Sequence, residues 1–249
     1  MAPAVETPLV TLTRPRQSNK NVFLLQLHNG ADNRITVDLI RDINQCLTTI
    51  EAELSAAPES KLGGAVVVTG HGKFFSNGFS IQQLEDHSLN IRAKFHNLLA
   101  RFLLFRTPVI GALNGHTFAA GCLMSLSFDY RVMRKDRGFI CLNEVDIRRP
   151  LLPGMAAVVK EKIAGQKALR DSVLGGKRFS AEEAMAAEFV DEAVDGDKVV
   201  EVALDLAEKY APKTYRDNYH LLKAELYRDA LPHLLSQPLQ TAGQYLAKL

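Results

Sequence analysis

The chain has 249 residues, 47% hydrophobic and 23% charged, an ordinary globular composition long enough to bury a sizeable core. Its formal charge is +2 and its Lys and Arg residues are scattered, which argues against a nucleic-acid binder. No run of about 20 apolar residues suggests a membrane span, and the N-terminus lacks the apolar core of a signal peptide.

Leu9 to Thr13 and Val22 to His28 read as strands separated by a polar turn, a hairpin pattern. Thr36 then caps a predicted helix to about Ala57, with Val37, Ile40, Ile43, Leu47, Ile50 and Leu54 at helical spacing. Gly64 to Thr69 is a short continuous apolar run, the pattern of a buried parallel strand. The segment from Gly70 to Ser80 reads as a loop, and a helix follows from about Ile91 to Phe105, where Thr107-Pro108 ends it. Val109 to Leu113 is another apolar strand, Ala119 to Leu126 a buried helix, and Tyr130 to Met133 and Phe139 to Leu142 two further strands. Beyond Pro153-Gly154 the pattern is mostly helical. Ser180-Ala-Glu-Glu183 has capping-box spacing, Asp191 to Val194 is extended, and helices are expected over Lys198 to Lys209, Tyr215 to Asp229 and Pro232 to Leu246. Strands alternating with helices, then a helical tail, define an α/β core over residues 1–195 with a C-terminal helical region over 196–249.

Two stretches carry candidate chemistry. Phe74-Phe-Ser-Asn-Gly-Phe-Ser80 follows a buried strand, the position at which open α/β sheets hold ligands. Gly78 there is either an ordinary turn former or the means of aiming a backbone N–H at a ligand. In Asn114 to Cys122 a strand ends and a helix begins on Ala119, Ala120 and Gly121. These small residues either serve tight packing or let a substrate approach the free N–H groups of the helix N-terminus. Glu144, within the largely apolar FICLNEVDI, is either a partly buried acid with a raised pKa, suited to moving protons, or an acid on a solvent face. His116 is the one histidine near these stretches. Cys46, Cys122 and Cys141 lie in apolar runs and read as small core residues in a reducing compartment, with no disulfide framework or zinc site. The glycines Gly70 and Gly72 do not continue into G-x-G-x-x-G because position 75 is Phe. Val67 stands where a P-loop needs glycine, and neither a G-x-S-x-G elbow nor H-E-x-x-H occurs.

Taken together, FFSNGFSIQQL, TPVIGALNGHTFAAGCLMSLSFDYRVM, FICLNEVDI with Pro153-Gly154-Met155, and LGGKRFSAEEAMAAEFVDEAV resemble, in order and spacing, the crotonase (enoyl-CoA hydratase/isomerase) superfamily from about Val10 to Leu204. The resemblance implies a spiral of β-β-α units, C-terminal helices that form trimers or pairs of trimers, and an acyl-CoA thioester ligand with no metal or other cofactor. It implies that the N–H groups of Phe79 and Ala120 bind the thioester oxygen, that the CoA portion lies along Ser76, Asn77, Gly78 and Ser80, and that Phe79, Phe118 and Leu123 help form the acyl pocket. Asn143 and Glu144 match the Leu-Asn-Glu pattern of the family's Δ3,Δ2-enoyl-CoA isomerases. Hydratases of the family carry a second glutamate where this chain has Leu123, so the resemblance points to a single-glutamate isomerase, with Glu144 carrying a proton from C2 to C4. Alternatives are a hydratase or hydrolase recruiting Asp146, or an acyl-CoA-binding scaffold without catalysis. The terminal Ala247-Lys248-Leu249 is close to the peroxisomal Ser-Lys-Leu address, which predicts binding to the import receptor and a place in the peroxisomal matrix.

Overall fold

The computed structural model describes residues 5–56 and 61–236. The C-terminal Ala247-Lys248-Leu249, and most of the helix expected over Pro232 to Leu246, lie outside the described residues.

Among the described residues, seven strands form the main sheet. β1 (Val5–Glu6), β2 (Val10–Thr13) and β3 (Val22–Leu27) pair antiparallel, so the hairpin forms as the turn residues predict. β4 (Ala65–Thr69), β6 (Val109–Leu113), β8 (Tyr130–Arg134) and β10 (Glu192–Val194) continue the sheet in parallel from β3. β4 and β6 are buried at every position because both sheet faces are covered. Val66, Val68, Val109 and Leu113 face the larger core with α1 (Val37–Ala56) and α3 (Ile91–Leu103). Ala65, Val67, Ile110, Ala112 and Val132 face a second core closed by α8 (Val199–Tyr210). The helices beyond residue 195 therefore begin on the sheet itself.

A second, three-stranded parallel sheet positions the site. Its strands are β5 (Phe74–Ser76), β7 (His116–Phe118) and β9 (Ile140–Cys141), in that order. Each follows a strand of the main sheet and leads to a helix. β4-β5 is followed by α2 (Ile81–Glu85) and α3, β6-β7 by α4 (Ala120–Leu126), and β8-β9 by α5 (Pro153–Lys162). This is a spiral of β-β-α turns. Two of these short strands fall where the sequence suggests only loop or turn, and the third is shorter than the expected Phe139 to Leu142.

The other elements follow their local chemistry. Thr36 caps α1, its Oγ1 accepting from the Leu39 N–H at 3.1 Å. The capping box at α7 (Ala181–Ala186) is complete, with Ser180 N–H donating to Glu183 at 3.0 Å and Glu183 N–H to Ser180 Oγ at 3.3 Å. The three cysteines are buried thiols. After α6 (Gln166–Val173) and α8, the helix expected from Tyr215 is shortened to α9 (Tyr219–Leu226), because Ala211–Thr214 form a 3-10 turn and Arg216 and Asp217 take positive φ. α10 (Leu231–Leu235) follows and packs on α5 and α3.

Candidate active site

Parallel pairing places the C-terminal ends of β5, β7 and β9 along one edge. From that edge the chain delivers Phe79, Ala120 and Glu144, one from each β-β-α turn. A cavity of about 690 Å³ opens there, lined by Phe79, Ala120, Leu123, Asn143 and Glu144 together with Arg34 and Arg92.

The first loop is held so that the Phe79 N–H faces away from the neighbouring chain. Ile35 N–H donates to Gly78 O at 2.8 Å and Ser80 N–H to Ile35 O at 3.0 Å, a one-residue parallel bridge about Phe79. The groups flanking Phe79 take these bonds, and in an extended chain the intervening N–H points the other way. Arg34 braces the same loop: its Nη1 donates to Asn77 O at 2.9 Å and to Phe79 O at 3.2 Å, and its Nε to Asp32 Oδ2 at 2.8 Å. Asp32 in turn accepts the Asn77 amide at 3.0 Å.

The second loop touches the first. Gly78 has φ +77°, and a Cβ there would lie 3.0 Å from Ala119 Cβ and 3.3 Å from Ala120 N. Only glycine allows both the left-handed backbone and this approach. One residue on, a Cβ at Gly121 would lie 2.6 Å from Ser76 O, so the start of α4 packs directly on the end of β5. Ala119 sits at φ 49°, ψ −124°, a region that costs an L residue on the order of 1–3 kcal/mol. Ala119 N–H bonds to Cys141 O at 2.9 Å, and its carbonyl accepts from Leu123 N–H at 3.0 Å, which holds this conformation. The peptide is thereby turned so that α4 starts at Ala120, whose N–H, as in any first helical turn, has no partner within the helix. Neither it nor the Phe79 N–H donates a hydrogen bond among the described residues, so two free donors lie on adjoining loops at one cavity wall.

Glu144 lies in a turn just beyond β9, not on a strand. Asn143 O accepts from Asp146 N–H at 3.1 Å and Ile147 N–H at 3.2 Å, and Glu144 O accepts from Arg149 N–H at 2.9 Å. These bonds curl the chain and turn the Glu144 side chain inward, while Asp146 stays exposed. Glu144 Oε2 and Asn143 Oδ1 are both buried without a hydrogen-bond partner among the described residues. Burial pushes the Glu144 carboxyl up from the usual 4.5 to about 7. It is the one acid among the described residues that lines the cavity, and Leu123, 1% exposed, stands in the wall with it.

The remaining sequence candidates divide. Asn77 lines the cavity, whereas the side chain of Ser76 does not: it is fully buried, with Oγ donating to Asn33 O at 2.7 Å and accepting from Gly78 N–H at 3.3 Å. Gly78 and Ser80 also stay out of the lining and shape the loop instead. Phe118 and His116 project from the other face of the short sheet, into a cluster with Phe74, and do not reach the cavity. Burial and nearby Arg178 depress the His116 pKa, which keeps that ring a packing element. Arg34, Arg92 and Arg149 line the cavity without any sequence signal.

The spiral β-β-α core sets two free backbone donors and one half-buried carboxyl, Glu144, around the same cavity. Residues 17–247 match the family model described as enoyl-CoA hydratase/isomerase. The chain is 35% identical over 217 residues to enoyl-CoA delta isomerase 3 of Arabidopsis thaliana, covering 83% of this chain and 89% of that protein. It is also 35% identical over 219 residues to the plant's peroxisomal enoyl-CoA delta isomerase 2, with the same coverages. Among solved structures, human mitochondrial delta3-delta2-enoyl-CoA isomerase has the same fold, with TM-score 0.80 and 21% identity over 92% of this chain and 86% of that one. So has an enoyl-CoA hydratase from Mycobacterium marinum, with TM-score 0.80 and 21% identity over 93% and 99%. The chain belongs to the enoyl-CoA hydratase/isomerase family.

Proposed function

We propose that this protein is a Δ3,Δ2-enoyl-CoA isomerase of fatty-acid breakdown. The thioester carbonyl of a 3-enoyl-CoA accepts hydrogen bonds from the Phe79 and Ala120 N–H groups. Glu144, as carboxylate, takes a proton from C2, and the electron pair spreads over the thioester oxygen, C2 and C4 as a dienolate. The two donors stabilise that oxygen. In other enzymes, removing one such donor costs about 10²–10³ in rate. Glu144 then returns the proton to C4, and the double bond settles between C2 and C3. The proton only moves, so neither water nor a redox partner enters the balance.

The observation that carries this reading is the solitary carboxylate: Glu144 is half-buried, its Oε2 enclosed without a partner among the described residues and its pKa raised to about 7, in a wall where the second position is apolar Leu123. Adding water needs a second polar group to orient it, whereas moving a proton needs one base that is ionised near neutral pH. The CoA arm runs along the Asn77 and Arg34 side, and the acyl chain enters among Leu84, Leu123, Leu152 and Met155. Two named isomerase relatives at 35% identity support the same reaction. Purified protein is incubated separately with a 3-enoyl-CoA and a 2-enoyl-CoA. Conversion of the 3-enoyl to the 2-enoyl ester is expected, and hydration of the 2-enoyl ester as the sole reaction overturns the reading.

A trimeric assembly and a peroxisomal address complete the proposal. Leu221, Leu222 and Leu226 on α9 are 58–66% exposed, an apolar face suited to a subunit contact, which light scattering after size exclusion tests. The peroxisomal relatives and the terminal Ala247-Lys248-Leu249 support import. A fluorescent fusion carrying this C-terminus is expected to become punctate, and to stay diffuse when the tripeptide is removed.

A further inference from the structure

Three arginines line the cavity and differ in what they hold. Arg34 is committed to Asp32 and two loop carbonyls. Arg149 donates to Glu85 at 3.2 Å in an exposed pair. Arg92 makes no hydrogen bond or ion pair among the described residues. It is the second residue of α3, where the helix dipole disfavours a cation. It is also half-buried, and its pKa is lowered by that burial and by the charge of Arg149, with no acid opposing. Three unfavourable effects thus fall on one guanidinium that faces an otherwise largely apolar cavity, which is the situation of a cation awaiting an anion from the ligand.

The anion is not the reacting centre. A cation within about 4–6 Å lowers a carboxylate's pKa. Glu144 stays raised to about 7, with burial as the leading cause and no guanidinium pulling it down. Neither Arg92 nor Arg149 donates a hydrogen bond to the Glu144 carboxylate among the described residues, and Arg92 enters the cavity from α3, a different element from the loops that carry Phe79, Ala120 and Glu144. One turn on from Arg92, Phe95 meets the Phe79 ring edge to face at 4.9 Å, which sets this turn of α3 against a residue of the proposed acyl pocket. Leu84, Leu152 and Met155 give methylene groups an apolar wall in the same cavity.

We propose that Arg92 and Arg149 form a guanidinium pair for a carboxylate at the far end of the acyl chain, so that the pocket favours ω-carboxyacyl-CoA thioesters over plain alkyl ones. This rests on the acyl-CoA reading of the cavity and names the substrate class within it. Two planar forks match a carboxylate, and the net charge of Arg92, Arg149 and Glu85 together leaves one positive charge for it.

Binding of saturated thioesters, read by titration calorimetry, tests the pair apart from turnover. Adipoyl-CoA is compared with hexanoyl-CoA and suberoyl-CoA with octanoyl-CoA, on wild type, Arg92→Met and Arg92→Lys. Wild type is expected to bind the carboxylated ester of at least one pair about 10- to 100-fold more tightly, the range of charge-assisted hydrogen bonds. Arg92→Met brings that ratio close to one, and Arg92→Lys restores only part of it because the fork is lost. Equal wild-type affinities within both pairs overturn the proposal, as does a ratio that Arg92→Met leaves unchanged. If the effect of Arg92→Met disappears with dephospho-CoA thioesters, the pair serves the nucleotide phosphate and the proposal is likewise overturned. Failure of every thioester to bind sinks the acyl-CoA reading itself, whereas normal binding of hexanoyl- or octanoyl-CoA without a carboxylate preference sinks only this inference.

Discussion

Replacing Glu144 by Gln separates what the carboxylate does for the reaction from what it costs the fold. The carboxyl is raised from 4.5 to about 7 by burial, so the folded state binds its proton more tightly than the unfolded chain does. The neutral form is therefore the comfortable one. Stability is full at low pH, falls as pH rises from about 4.5, and reaches its lower plateau above about 7. A difference of about 2.5 pKa units corresponds to about 3 kcal/mol on that plateau, since one unit is about 1.4 kcal/mol. Gln fills the same space without the charge. Glu144→Gln should thus be about 3 kcal/mol more stable than wild type near pH 8, and less than about 1 kcal/mol more stable near pH 5. For a chain of this size about 3 kcal/mol corresponds to roughly 6–12 °C in Tm, measured at fixed protein concentration so that any assembly contributes equally. In turnover assays the variant should lose about 10²–10⁴ in rate, the usual contribution of a positioned base. Wild-type kcat/KM should rise with pH to a plateau with an apparent pKa of about 7. A Tm difference that does not grow with pH refutes the buried-carboxylate argument. Near wild-type turnover of Glu144→Gln refutes the catalytic role.

Other substitutions test the supporting geometry. Gly78→Ala forces a side chain onto a residue at φ +77° and against Ala119, so it should cost about 1 kcal/mol or more in urea unfolding and lower kcat more than it raises KM. Arg34→Met removes the bonds to the Asn77 and Phe79 carbonyls without touching Glu144. It should reduce kcat by about tenfold or more while the apparent pKa of kcat/KM stays near 7, and a shifted pKa would mean that Arg34 acts on the carboxylate instead. Lys223→Met removes the cation that pairs with the buried Asp129 carboxylate at 2.8 Å and leaves that carboxylate, among the described residues, only the Val109 N–H, also at 2.8 Å. The expected loss is about 3–5 kcal/mol in the urea midpoint, and a loss below about 1 kcal/mol would show that the pair is replaceable.

The parts of the fold that announce themselves in sequence are those whose signal is local. The twenty residues of α1 carry a cap and an unbroken helical period, and β4 is an apolar run bounded by Gly64 and Gly70. The short sheet carries no such signal, because strands of two and three residues are too brief for periodicity and pair with partners some forty residues or less distant along the chain. Glu144 stands out in sequence as an acid in apolar surroundings just past a strand, but its direction is set by turn bonds to the Asn143 and Glu144 carbonyls, which leave no periodic signal. Arg34 and Arg92 carry no sequence signal, for different reasons. Arg34 acts through carbonyls 43 and 45 positions later. Arg92 looks like any charged residue on the outer face of an amphipathic helix, and only the tertiary arrangement turns it toward a cavity.

The arrangement of costs within the site follows from the chemistry it is proposed to perform. A carboxylate left in water would have a pKa near 4.5 and be a weak base toward a C–H beside a thioester, whereas one raised far above 7 would be protonated and idle. An apolar neighbour such as Leu123 raises the pKa by excluding water, and the same exclusion strengthens any hydrogen bond to the developing oxyanion. A second glutamate at that position would admit water and add a like charge, pushing the two titrations apart. In the proposed reaction this position selects proton transfer over water addition by setting the dielectric around Glu144 as much as by lacking a functional group. The strain at Ala119 belongs to the same logic. Its unusual dihedral angles start α4 where the Ala120 N–H can meet the Phe79 N–H across Gly78, and the bond to Cys141 O ties that strain to the strand that delivers Glu144. Donors and base are therefore held by one small sheet, and a shift in any of its strands moves all three groups together.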